Sequence, residues 1–198
     1  MNRDSFSTLL LAAGRSSRLG QPKQLLRHDG QPLVRRMAEL ALTLGPVVVV
    51  TGANADAVTE ALTGLPVQIV FNADYETGMA SSLRQGVTYL MNTGEPVEAL
   101  LILLTDQPHV DLPLLQSMAE TAQRTQRGIV ASRYGDTLGV PVLFRANYVP
   151  KLLTLTGDNG ARKLIQQHMD DCADVPFPKG AIDLDTPEDV ATWQRGET

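Results

Sequence analysis

From residue 9 onward, apolar runs of strand length alternate with stretches of helical period, and this alternation constrains the fold more than any other feature of the chain. Leu9 to Ala12 reads as a first strand. Leu33, Val34, Met37, Leu40, Ala41 and Leu44 then fall at i, i+3, i+4, i+7 spacing, one stripe of a helix that Gly45-Pro46 stops. Val47 to Val50 is an unbroken β-branched run, as a strand covered on both faces requires. Helix is expected at 56–62, 81–91 and 112–126, and strand at 67–71, 99–104, 129–131 and 140–144. Pro141 points the last of these to an edge or antiparallel position. Residues 152–169 read as two short helices interrupted at Gly157 and Gly160, and Thr186-Pro187-Glu188-Asp189 reads as a helix start with an acidic first turn. Regular βα order implies a three-layer α/β/α, Rossmann-like fold: a mostly parallel sheet with helices on both faces.

Composition bounds the rest. The 198 residues correspond to one domain of the usual size, roughly 100–200 residues, and 43 % hydrophobic content supports an ordinary core and excludes intrinsic disorder. A single cysteine, Cys172, excludes a disulfide scaffold and a four-thiolate zinc site, and fits a reducing, cytoplasmic setting. Net charge is −5, so neither nucleic acid nor an anionic membrane is an expected partner, and any polyanion must find a local basic patch. The longest apolar runs, such as Ala99 to Leu104, fall far short of the roughly 18 residues that span a bilayer. Arg3 and the apolar residues up to Gly14 loosely imitate a signal peptide, but Asp4 cancels the charged start and the run is short.

In open α/β sheets ligands bind past the carboxyl ends of the strands. The first strand runs into Gly14-Arg15-Ser16-Ser17-Arg18-Leu19-Gly20-Gln21-Pro22-Lys23, and from Gly14 to His28 the positive residues Arg15, Arg18, Lys23 and Arg27 occur with no acid. Glycines that admit close backbone approach, hydroxyl donors and cations together suit a polyphosphate. GxxxxGK[ST] and GxGxxG both fail here, because Lys23 does not follow Gly20 and Ser16 replaces a glycine. A solvated basic turn is the plainer alternative. Asp106, directly after the Ala99 to Leu104 run, is either a turn or cap residue or a ligand for Mg²⁺, which takes one or two carboxylates plus phosphates. Asp183 and Asp185 would share one side of an extended segment. His28, His109 and His168 lack metal-ligand spacing.

The stretch LAAGRSSRLGQPKQLL closely resembles the LAAGxSxRMGxxKxL signature of the molybdopterin nucleotidyltransferase (NTP-transferase) family, with Leu19 at the usual methionine. Asp106-Gln107-Pro108 resembles its DQP or DMP element, Asp183 to Asp189 its DIDTPED motif, and Asn72 to Leu83 its NxxxxxGMxxSL segment. Gly139 to Phe144 and Gly157 to Arg162 resemble its GHPxLF and GDxGAR segments. These matches follow the family's order from Leu9 to Asp189. The resemblance implies a nucleotide-diphospho-sugar transferase-like fold, with residues 1–198 as one nucleotidyltransferase domain. Residues 7–110 form its nucleotide-binding half and residues 111–198 its acceptor-binding half.

It further implies that Arg18, Lys23 and Asp106 are catalytic, and that Leu11, Ala12, Ala13, Gly14, Arg15, Ser16, Ser17, Arg18, Lys23, Gly78, Ser81, Ser82 and Asp106 bind the nucleotide. Ser81 could equally cap the following helix. Gly139, Pro141, Gly157, Asp158, Gly160, Ala161 and Arg162 are implied to flank the acceptor, and Asp106 with Asp185, or else Asp183, to hold Mg²⁺. The implied reaction transfers CMP from CTP to molybdopterin or its molybdenum form and releases pyrophosphate, and the product would pass to a molybdenum enzyme. CTP is favoured over GTP because Ala13 stands where guanylyl relatives carry a second glycine. Val140 replaces the family's histidine, which leaves the acceptor open. A guanylyltransferase, a sugar-phosphate nucleotidyltransferase and a non-catalytic cofactor chaperone are the alternatives.

Overall fold

The computed structural model describes residues 6–196; Arg3 and Asp4, on which the reading of the N-terminus turns, lie outside the described residues. The strands are β1 (Phe6–Ala12), β2 (Arg27–His28), β3 (Gln31–Pro32), β4 (Val47–Thr51), β5 (Gln68–Phe71), β6 (Ala99–Leu104), β7 (Ile129–Tyr134), β8 (Thr137–Arg145) and β9 (Cys172–Pro176). The α-helices are α1 (Leu33–Leu42), α2 (Ala55–Ala61), α3 (Met79–Asn92), α4 (Leu112–Thr125), α5 (Ala161–Gln167) and α6 (Pro187–Gln194). Seven strands form one sheet in the order β5-β4-β1-β6-β8-β7-β9, while β2 and β3 make a separate small hairpin. All pairings in the large sheet are parallel except those of β8, which runs antiparallel to both β6 and β7.

Period 2 along the strands sorts the core into two layers. Leu10, Val49, Leu101 and Leu103 face α1, α2 and α4. Leu9, Val48, Val50 and Ile102 face α3, α5 and the 3₁₀ segment Val149–Thr154. A third, smaller cluster of Leu19, Leu26, Leu33, Leu184, Val190 and Trp193 fastens α6 to the residues around the β2–β3 hairpin.

Of the two placements expected for residues 140–144, the antiparallel one is found and the edge one is not. They lie inside the sheet, between β6 and β7, because the register shifts between Ala131 and Ser132 and the missing N–H of Pro141 falls in that bulge. Strand β9 and the β2–β3 hairpin were not expected from the sequence. Residues 172–176 alternate weakly and sit at a half-exposed sheet edge.

Candidate functional site

The register of the central strands builds the site. β1 pairs in parallel with β6 so that Leu11 lies opposite Leu104. The turn starting at Ala13 and the acid at position 106 therefore leave the same edge of the sheet at the same level, the edge where open α/β sheets bind ligands.

The turn is held by its own bonds. Ser16 takes a left-handed φ of 55°, and its carbonyl accepts from the N–H groups of Leu19 and Gly20, both at 3.1 Å. Gly20, at φ 73°, occupies the region that favours glycine. The Ser16 hydroxyl oxygen accepts from the Lys23 N–H at 3.0 Å. Gln24, buried beneath the turn, donates from Nε2 to the carbonyls of Ala12 at 3.0 Å and Gly14 at 2.7 Å. Leu19 drives into the third apolar cluster and anchors the outer arm.

Lys23 is the electrostatic centre. Its Nζ donates to Asp106 Oδ2 at 2.9 Å and to Asp185 Oδ1 at 2.7 Å, while Arg18 reaches Asp185 Oδ2 at 3.0 Å. The Lys23 side chain is 17 % exposed and that of Arg18 is 76 % exposed. The first pair is therefore weakly screened, and the second is worth at most about 1 kcal/mol. Burial works against the Lys23 ammonium, but the two carboxylates outweigh it and raise its pKa above the ordinary lysine value. The Lys23 hydrogen bond holds the Asp185 carboxyl low. Asp183 is pushed up to about 6, first by desolvation of its carboxyl and then by the charges of Asp106 and Asp185. On the other flank Arg15 pairs with Glu76 and lies over the Tyr75 ring, 5.8 Å from its centroid.

A cavity of about 380 Å³ opens between these groups. Of the residues implied by sequence to hold a nucleotide, Leu11, Ala13, Gly14, Arg15, Lys23, Gly78, Ser82 and Asp106 line it. Ala12 packs in the core, Ser17 is exposed, and Ser16 and Arg18 are occupied in the turn and on Asp185. Ser81 does not cap α3 and lies outside the cavity lining. The N-cap of α3 is Gly78, and the Ser81 hydroxyl is enclosed by Asn72 Nδ2 at 2.8 Å and the carbonyls of Asp74 and Gly78 at 2.9 and 2.8 Å. Gly78 itself is required: a Cβ there would lie 2.5 Å from the Gly157 carbonyl, and its φ is 107°.

The residues implied for an acceptor do not share one wall. Asp158 lines this cavity, and the Gly157 carbonyl accepts from the Ala80 N–H at 3.0 Å. Ala161 is buried against the α3 side of the core and Arg162 is exposed. Gly139 and Pro141 are buried in β8, outside the cavity lining. Gln24, Tyr75, Glu76, Met79, Leu104 and Thr105 also line the cavity and were missed by sequence reasoning. Their signal was position: Gln24 follows Lys23, Leu104 and Thr105 precede Asp106, and the others lie in the 72–83 segment.

The donor set fits a divalent cation. Asp106 Oδ1 is buried and has no partner among the described residues, a state that costs about 1–3 kcal/mol unless a cation or donor meets it. No group of three or more His, Cys, Asp or Glu poised for a metal occurs among the described residues. One or two carboxylates completed by ligand oxygens is instead the pattern of a hard, oxygen-seeking ion. Among the described residues no helix is long and apolar enough to cross a membrane.

The model of the MobA-like NTP transferase domain matches residues 8–172. A nicotine blue oxidoreductase of Paenarthrobacter nicotinovorans is 32 % identical over 193 residues, covering 92 % of this chain and 93 % of that protein. A molybdenum cofactor guanylyltransferase of Rhodobacter capsulatus is 28 % identical over 186 residues, covering 92 % of each. Among solved structures, Rv0371c from Mycobacterium tuberculosis H37Rv superposes with a TM-score of 0.80 at 28 % identity over 98 % of both chains. A manganese complex of that protein gives 0.75 at 25 % identity, over 96 % of this chain and 97 % of that one. With the domain match spanning most of the sheet and the glycine turn, the chain belongs to the MobA-like NTP transferase domain family.

Proposed function

We propose that this protein is a Mg²⁺-dependent nucleotidyltransferase of molybdenum cofactor biosynthesis that moves CMP from CTP to the phosphate of molybdopterin or its molybdenum form. The observation that carries the reading is the Lys23 ammonium seated between Asp106 and Asp185 at the mouth of the glycine turn. Two carboxylates already hold a cation there, and the turn beside them offers further positive charge. The guanylyltransferase relative supports the reaction class, and the manganese complex of a structural neighbour supports a divalent ion.

Asp106 and Asp185 would hold Mg²⁺, which supplies charge neutralisation on the triphosphate. The Gly14 to Gly20 backbone and Arg18 orient the phosphates. Lys23, released from one or both carboxylates, neutralises charge as the acceptor phosphate oxygen bonds to the α-phosphorus and the bond to the β-phosphate oxygen breaks. The acceptor is already an anion, so no side chain has to remove a proton. Residues 7–110 would supply most of the nucleotide contacts, and the acceptor would be held from within 111–198, where Asp158 lines the cavity.

Ala13 underlies the preference for cytidine. Ala13 lines the cavity, and its backbone packs closely against Gly52, where a Cβ would lie 2.7 Å from the Ala13 carbonyl and 2.9 Å from its methyl. One methyl is worth about 1–3 kcal/mol of discrimination, enough to favour a pyrimidine.

The test is pyrophosphate release with each of the four NTPs, Mg²⁺ and molybdopterin or its molybdenum form. Release with CTP ahead of GTP is expected. Preference for GTP would make the protein a guanylyltransferase, and release only with phosphosugars would move the acceptor. Redox turnover of nicotine blue without pyrophosphate would assign the chemistry for which its relative is named.

A further inference from the structure

Strand β8 loses part of its ladder where the implied acceptor segment begins. Pairing with β7 runs from Ala131–Val142 directly to Ser132–Gly139, and pairing with β6 ends at Ile102–Val142. Val140 and Pro141 are therefore left in the bulge. Two side chains supply bonds there. The Ser132 hydroxyl donates to the Pro141 carbonyl at 2.8 Å, and Gln107 Nε2 donates to the Val140 carbonyl at 3.0 Å. The same Nε2 donates to the Gly180 carbonyl at 3.3 Å, in the turn that leads to Asp183 and Asp185.

Gln107 is 3 % exposed, and its Oε1 is buried with no partner among the described residues. The amide cannot be turned over, because Oε1 would then face two carbonyls. A buried amide with one idle end is a poor way to gain stability, since an apolar side chain of the same shape avoids that cost. What it secures is position: one donor fixes the β8 bulge and the 178–181 turn against the residue next to Asp106.

We propose that Gln107 is a positioning residue that holds the implied acceptor segment of β8 and the turn leading to Asp185 in register with Asp106, an inference that rests on the transfer reaction proposed above. Gln24 is its counterpart on the nucleotide wall. It sits beside Lys23, its Nε2 likewise donates to two backbone carbonyls, and its Oε1 is likewise buried without a partner among the described residues.

Gln107→Met and Gln24→Met, each similar in shape and lacking the donor, separate the two roles. In hydrogen–deuterium exchange, Gln107→Met is expected to speed amides of 139–145 and 178–185 about tenfold while 12–25 keep wild-type rates, and Gln24→Met to do the reverse. In kinetics, Gln107→Met raises the acceptor KM about tenfold and leaves the CTP KM within about twofold. Wild-type exchange in both segments of Gln107→Met overturns the proposal, and so does an equal rise of the two KM values. If wild-type protein releases no pyrophosphate with any acceptor, the transfer reading fails, and exchange alone decides whether Gln107 fixes these segments.

Discussion

At the scale of single residues, the site is a balance of charges. Lys23 neutralises two carboxylates, one from the middle of the chain and one from near its end, and Asp183 crowds the same corner. Lys23→Met strands those carboxylates, so the ligand-free protein should lose about 2–4 kcal/mol of stability. Millimolar Mg²⁺ should restore much of that loss, since an ion that binds only the folded state stabilises it. Chemical unfolding with and without the ion measures both. Asp106→Asn keeps the shape and removes the charge; pyrophosphate release should fall by at least about 100-fold while the far-ultraviolet circular dichroism is unchanged.

Asp183 gives a pH signature. Its folded-state pKa is raised from 3.8 to about 6, so its contribution to stability is present below the lower value and lost as pH rises through the upper one. Asp183→Asn should therefore raise the unfolding midpoint at pH 7.5, in the presence of a chelator, and change it little at pH 4. An equal shift at both values would contradict the assignment.

Elements show which parts of the site were legible in the sequence. The glycine turn and Asp106 were, because both follow strands marked by dense apolar runs whose parallel pairing fixes their level. The cap of α6 was too: the Thr186 hydroxyl accepts from the Asp189 N–H and the Asp189 carboxylate from the Thr186 N–H. The β8 bulge was not, since proline in a strand signals a missing donor and cannot say whether the gap is an edge or an interior bulge. Nor was the fate of Ser81, which depends on Asn72 folding back across nine residues.

Two substitutions test the packing that supports these elements. Gly86→Ala in α3 would usually favour a helix by about 0.5–1 kcal/mol. Here the new Cβ would lie 2.2 Å from Leu9 Cδ1 in a filled core, and overpacking of about 1–3 kcal/mol should win, lowering the denaturation midpoint. Trp193 is buried in the third cluster and stacks on His28 with ring centroids 5.3 Å apart. Trp193→Ala should cost about 3–5 kcal/mol and loosen α6, raising the Mg²⁺ concentration needed for half-maximal activity because Asp185 precedes that helix.

Across the whole molecule, the parallel β1–β6 pair brings the glycine turn level with Asp106, and the third apolar cluster brings the segment carrying Asp185 to both. Lys23 and Asp185 are 162 residues apart and meet at 2.7 Å, and the carboxyl end of β6 sets Asp106 beside Lys23 on the cavity wall. A net charge of −5 makes the local cations conspicuous without making the surface attractive to polyanions. Sequence reasoning placed the acceptor segments in the second half, but only the fold separates Asp158, on the cavity wall, from Gly139 and Pro141 behind Gln107. Chain order carries no record of that division.

The most direct measurement is a crystal structure with a non-hydrolysable CTP analogue and Mn²⁺, located by its anomalous scattering. The ion is expected on Asp106 and Asp185, the triphosphate along Gly14 to Gly20, and the Lys23 ammonium moved from the carboxylates onto a phosphate oxygen. Lys23 still bridging Asp106 and Asp185, with nucleotide and ion bound elsewhere, would contradict it.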